Sequence, residues 1–212
     1  MENGKFARAM AWVRDIGAGY GKVKGDKGGE TYQEIARNFH PEVPIWQVID
    51  AAKVRCRTAK LMTAYLAAHV AVQASVADFY RAKYWDRFGL EVFPCLAGLG
   101  IFDCLVNHGQ GAALIQKTVN EFYGQRYAEL LKVDNAWGPK TRARVLEIVC
   151  GPRPAEPAFF EALCGERERY YAVLAHDEGP NDPDAWAEKG WDNRIDRLRA
   201  FAAANCKIIT GA

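Results

Sequence analysis

The chain has 212 residues, half of them apolar, which is enough for one domain with a substantial core and no need of a disulfide scaffold. Its 28 Lys and Arg stand against 26 Asp and Glu, a formal net charge of +2, far from the basic excess of a protein that grips nucleic acid by its phosphates. No stretch reaches the roughly 18 to 20 continuous apolar residues of a membrane helix, and the longest candidate, 61–76, is interrupted by Thr63, His69 and Gln73, so membrane insertion is not expected.

The opening MENGKFARAM has no apolar signal core, and synthesis in the cytoplasm is the expectation that follows. Residues 6–16 carry Phe6, Met10, Trp12, Val13 and Ile16 at helical spacing and stop at the glycines of GAGYG. Six glycines between 17 and 29 predict a loop or short irregular hairpin, a kind of surface segment that often carries function. Residues 31–39 predict a second helix, closed by His40-Pro41 because proline disfavours helical geometry in the residue before it. From 45 to 85 the pattern is almost continuously helical, with room for one or more hidden breaks.

Residues 96–106 are apolar on nearly every face, the mark of a central buried helix, and end in NHGQG. An amphipathic helix is predicted over 112–131, then a turn DNAWGP and a helix over 140–149 with Pro139 in its first turn. The three prolines of GPRPAEP form a connector. Helices over 159–175 and 184–204 follow, the last with Trp186, Trp191, Ile195, Leu198 and Phe201 inward. There is no internal repeat, so the expectation is one mainly α unit: a helical domain over 1–150 and a helical segment over 151–212 packed with it. Cys56, Cys95, Cys104, Cys150, Cys164 and Cys206 lack CxxC pairs and are expected to be reduced core residues. The four histidines are too dispersed for a zinc cluster, and neither a metal nor a cofactor is expected.

Four segments, in order, carry a resemblance: FARAMAWVRDIGAGYGKVKGDKGGETYQEIARNFHP from Phe6, FYRAKYWDRFG over 79–89, FDCLVNHGQGAALIQKTV over 102–119, and WGPKT over 137–141 paired with GWDNRIDRLRAF over 190–201. Together they resemble the N-acetylmuramidases of glycoside hydrolase family 108 and their companion C-terminal peptidoglycan-binding segment. That resemblance implies a lysozyme-like helical fold and an endolysin-type protein of phage or prophage origin. The partner it implies is the glycan strand of peptidoglycan, met at the cell wall after release. The family's turn is Glu-Gly-Gly-Tyr; here Ala18, Gly19 and Tyr20 keep its shape, and the glutamate falls on Gly17.

Cleaving a glycosidic bond needs a proton for a poor leaving oxygen, and a carboxylic acid of raised pKa is the usual donor. Loss of a general acid removes roughly 10² to 10⁴ in rate, so the sequence predicts an impaired hydrolase acting by binding. Asp15 lies about 200° round a helix from position 17 and is expected to point away. Asp26, Glu30 and Glu34 follow the glycine loop, and Glu34 is the candidate substitute acid; otherwise it is a solvated helix residue. The resemblance makes Tyr20, Glu30, Thr31, Tyr84, Asn107 and His108 candidate sugar contacts. Against this, aromatics at helical spacing commonly build cores, and NHG is an ordinary helix end. Asp103, inside an apolar run, must find a buried partner. Two alternatives stay open: an active glycosidase with a relocated acid, and a module on the same scaffold that binds a protein partner.

Overall fold

The structure, a computed structural model, describes residues 4–17, 19–22, 27–124, 129–177 and 185–206. It is mainly helical, with one small sheet, and divides into two compact units: 9–87, and 88–212 together with 1–8. Helix α1 (Lys5–Ile16) begins in the second unit and continues in the first, where Ala9, Met10, Trp12 and Val13 are buried.

In unit 9–87, α1 leads to a three-stranded antiparallel sheet of β1 (Gly21–Lys22), β2 (Glu30–Tyr32) and β3 (Ile35–Ala36). The helix expected over 31–39 is therefore a hairpin. Its two turn residues, Gln33 and Glu34, both have positive φ, 46° and 64°, as a type I′ turn requires, and no α-helix continues through such residues. Tyr32 and Ile35 flank the turn as a cross-strand pair and are both buried. The helical region expected over 45–85 is broken. It comprises α2 (Ile45–Ala52), α3 (Ala59–Ala68), α4 (Val70–Tyr80) and a π-helical turn, Arg81–Asp86. Thr58 caps α3, its hydroxyl accepting the Leu61 N–H at 3.2 Å, and His69 in extended geometry separates α3 from α4.

In the other unit, α5 (Cys95–Asn107) is the central helix its composition predicts, buried from Leu96 through Leu105. Gly100 lets α8 (Glu156–Asp177) approach closely: a Cβ there would lie 2.9 Å from the Phe160 ring. α6 (Gly111–Tyr123) is shorter than the 112–131 expected. Residues 129–131 are not helical; instead Asn120 and Gln116, one turn apart on α6, hold the returning chain. Asn120 bonds both backbone groups of Leu131 at 2.8 Å, and Gln116 accepts the N–H groups of Asp134 and Asn135. The apolar spacing of Leu130 and Leu131 imitated a further helical turn. α7 (Pro139–Cys150) starts on its proline as expected, and α9 (Ala185–Asn205) closes the unit with Ile195, Leu198 and Ala202 buried. The side chains of Trp186 and Trp191 lie outside the described residues.

The expectation of six reduced core cysteines needs two corrections, one of pairing and one of burial. Cys95, at the start of α5, and Cys206, just past α9, form a disulfide across 111 residues, with Cα atoms 5.6 Å apart. Nothing in their spacing announced it, because α9 brings them together only in the tertiary fold. Cys104 and Cys164 are free and buried, their thiols pushed up to about 12 by burial, whereas Cys150 is exposed. Among the described residues no helix is long and apolar enough to cross a membrane, and no three His, Cys, Asp or Glu side chains gather to hold a metal.

Candidate functional site

At the end of α1 the Gly17 N–H closes the last turn on the Val13 carbonyl at 2.8 Å. A Cβ placed on Gly17 would overlap that same carbonyl oxygen and stand 3.5 Å from the Cα of Gln33. The chain here is shaped for glycine, and Gly17 abuts the β2–β3 turn. Gly19 has a parallel reason: a Cβ there would overlap the Thr63 side chain, whose hydroxyl instead accepts the Tyr20 N–H at 2.8 Å. Asp15 is exposed.

Tyr20 and Glu30, both candidate sugar contacts, meet directly. The Tyr20 hydroxyl donates to Glu30 Oε1 at 3.1 Å. Glu30 is 6% exposed and also receives Arg37 at 2.7 Å, Lys53 at 2.7 Å and, more distantly, Lys22 at 3.5 Å. Asp50 completes the group by taking both Arg37 Nη groups and Lys53. Burial pushes the Glu30 carboxyl up, but the hydrogen bonds from Lys53, Arg37 and Tyr20 outweigh it and hold the group down at about 2. Burial and the neighbouring Glu30 charge raise the Tyr20 phenol above its ordinary value. At neutral pH Glu30 is thus an anion with no proton to give, and Tyr20 keeps its own.

Glu34 sits on the turn beside Gly17 and is exposed. It is a hairpin residue and not the helix residue the periodicity suggested. Thr31 is the middle of β2, paired with Gly21 and Ala36. Tyr84 lies in the π-helical turn against the rings of Phe79 and Tyr80, with centroids 6.3 and 5.9 Å away. Tyr80 in turn donates to the Gln33 carbonyl at 2.7 Å. Asp26 lies outside the described residues.

Asn107 and His108 belong to the other unit, where they end α5 in a side-chain network. Asn107 Nδ2 donates to the Tyr171 hydroxyl at 2.8 Å, and that hydroxyl stands 2.9 Å from His108 Nε2. Arg167 Nε donates to the same nitrogen at 3.2 Å, so Nε2 is an acceptor and the proton of the neutral ring sits on Nδ1. Burial and the adjacent Arg167 cation push His108 down to about 3. Asp103 finds the partners its burial demands: Arg167 and Arg194, each at 2.7 Å.

Sequence reasoning missed Arg37, Asp50, Lys53, Thr63, Arg167, Arg194 and Tyr171. They are ordinary polar helix or loop residues in the sequence, recruited by contacts with no fixed spacing. Asp103 gave a signal, as a charge inside an apolar run.

Residues 10–109 match the family model described as Glycosyl hydrolase 108. The structure of SagA from Brucella abortus is similar over 97% of this chain and 98% of that one, with a TM-score of 0.61 at 21% identity, a likeness of fold. No curated protein matches the chain.

Proposed function

We propose, on the match of residues 10–109 to the Glycosyl hydrolase 108 family model, that the chain is a peptidoglycan-directed, lysozyme-like protein that acts by binding glycan strands and is impaired as a glycosidase. One observation carries the proposal: the turn at Gly17, where the resemblance places the family's acid, has no room for a side chain, since a Cβ would run into the Val13 carbonyl. Two further features support the reading. Glu30, the buried carboxylate of the neighbouring group, is held ionised by Lys53 and Arg37 and serves as an acceptor. Tyr20 remains half-exposed beside it, an aromatic face with a polar rim of the kind that stacks on sugars.

The proposed setting is the cell wall, reached after synthesis in the cytoplasm, and the proposed origin is a phage or prophage lysis function. Sedimentation with purified murein sacculi, together with zymography, tests the reading. Binding without lysis is the expected result, and Tyr20→Ala is expected to weaken binding about 10-fold, the loss of one stacking contact of ~1–2 kcal/mol. A second reading has one observation in its favour: Glu34 stands on the turn that touches position 17, so an acid is present nearby. Lysis by the wild type that Glu34→Gln abolishes would replace the binding reading with that one.

A further inference from the structure

We propose that the Cys95–Cys206 disulfide is a compartment-dependent lock: α9 gains its final hold on α5 only when the chain reaches an oxidising environment. The geometry of α9 motivates this. Its described buried residues, Ile195, Leu198, Ala202 and the following Cys206, form one narrow stripe, flanked by arginines that reach neighbouring helices. Among the described residues, two fastenings tie α9 to α5. One is ionic, Arg194 on Asp103; the other is the covalent pin at Cys206, about three turns of α9 further on. The receiving end is firmly held, because Glu156 accepts the N–H groups of Leu96 and Ala97 at 2.7 and 2.9 Å and Lys5 donates to the Phe93 carbonyl at 2.9 Å. Cys95 is therefore presented from a fixed helix start, and closing the bond depends on where α9 ends.

Closing it removes two protons and two electrons from the Cys95 and Cys206 thiols. The oxidant is a disulfide, of a small thiol or a thiol oxidoreductase, which leaves as two thiols after exchange through a mixed disulfide. Reducing compartments keep such thiols apart, and envelope and extracellular spaces join them. The neighbouring thiols do not compete well: Cys104 and Cys164 are buried and held protonated. Among the described residues, what holds α9 before oxidation is its buried stripe and its ion pairs. The inference is independent of the peptidoglycan reading, since its measurements involve no cell-wall material.

The test uses the full chain, prepared reduced and then incubated with oxidised glutathione. Thiol titration in denaturant is expected to fall from six free thiols to four, and peptide mass mapping is expected to join the Cys95 and Cys206 peptides. Limited proteolysis is expected to cut within α9 at least 10-fold faster in the reduced chain. Arg194→Gln is expected to widen that difference, because it removes the ionic fastening and leaves the covalent one. Cys206→Ser is expected to behave as the reduced chain under both conditions, whereas Cys150→Ser keeps the full redox response. Six titratable thiols after oxidation, a mapped pair other than Cys95 with Cys206, or equal cleavage rates in the two forms would each overturn the proposal.

Discussion

Gly17 and Glu30 show how a single side chain, or its lack, decides what this site can do. Placing a side chain at 17 is not a simple substitution, since any Cβ meets a carbonyl oxygen that is itself engaged in closing α1. Gly17→Ala is expected to cost about 1–3 kcal/mol in denaturant unfolding, the usual penalty of overfilling a packed position, and Gly17→Glu to cost at least as much while leaving zymograms blank. Glu30 makes a pH prediction. Its folded pKa of about 2 lies below its ordinary 4.5, so the unfolded chain takes up a proton first as acid is added. The stability it contributes is complete above pH 4.5 and is lost as pH falls towards 2; Asp50, lowered by Arg37 and Lys53, adds a loss of the same sign. Urea midpoints measured at successively lower pH should show this slope, and Glu30→Gln should flatten it. His108 gives the opposite kind of test: held down at about 3, its ring should show no NMR titration between pH 8 and 4.5.

Single helices were legible in the sequence where apolar period and caps agreed, as in α1, α5 and α7. They were misread where local geometry overrode the period. Thr31 to Phe39 spaces its apolar residues helically, yet Gln33 and Glu34 turn the chain with positive φ and no glycine to advertise it. Across 45–85 the breaks fall at His69 and between Ala52 and Thr58, residues that carry no proline or glycine signal. The site suffered similarly: Tyr20, Glu30 and Gly17 were named from the sequence, but Arg37, Asp50 and Lys53, which fix the protonation of Glu30, come together only through the hairpin and α2. One element-scale contact invites measurement. Glu156, in the first turn of α8, caps α5 by accepting two of its opening N–H groups. Glu156→Ala should cost about 1–2 kcal/mol in thermal unfolding, the range of a lost N-terminal cap.

At the scale of the molecule, the buried Asp103 group and the Cys95–Cys206 disulfide tie separate helices together. Arg167 is fully buried against Asp103, so Asp103→Asn strands a cation in the core and should cost about 3–5 kcal/mol by chemical denaturation. The mainly helical class was readable from periodicity, and three of the four motifs lie in or overlap residues 10–109, the span that matches the Glycosyl hydrolase 108 model. The covalent pairing of Cys95 with Cys206 was not readable, because 111 residues separate them. That separation bears on the birth of the protein on the ribosome. Residues 9–87 form one uninterrupted unit and emerge complete, whereas α5 leaves the exit tunnel with Asp103 still awaiting Arg194 and with Cys95 awaiting Cys206. Vectorial synthesis therefore sets an order in which the hairpin-bearing unit matures early and the α5 unit is finished by the last helix made. Nascent chains stalled before residue 185 should accordingly protect the amides of 9–87 from exchange while those of α5 stay open.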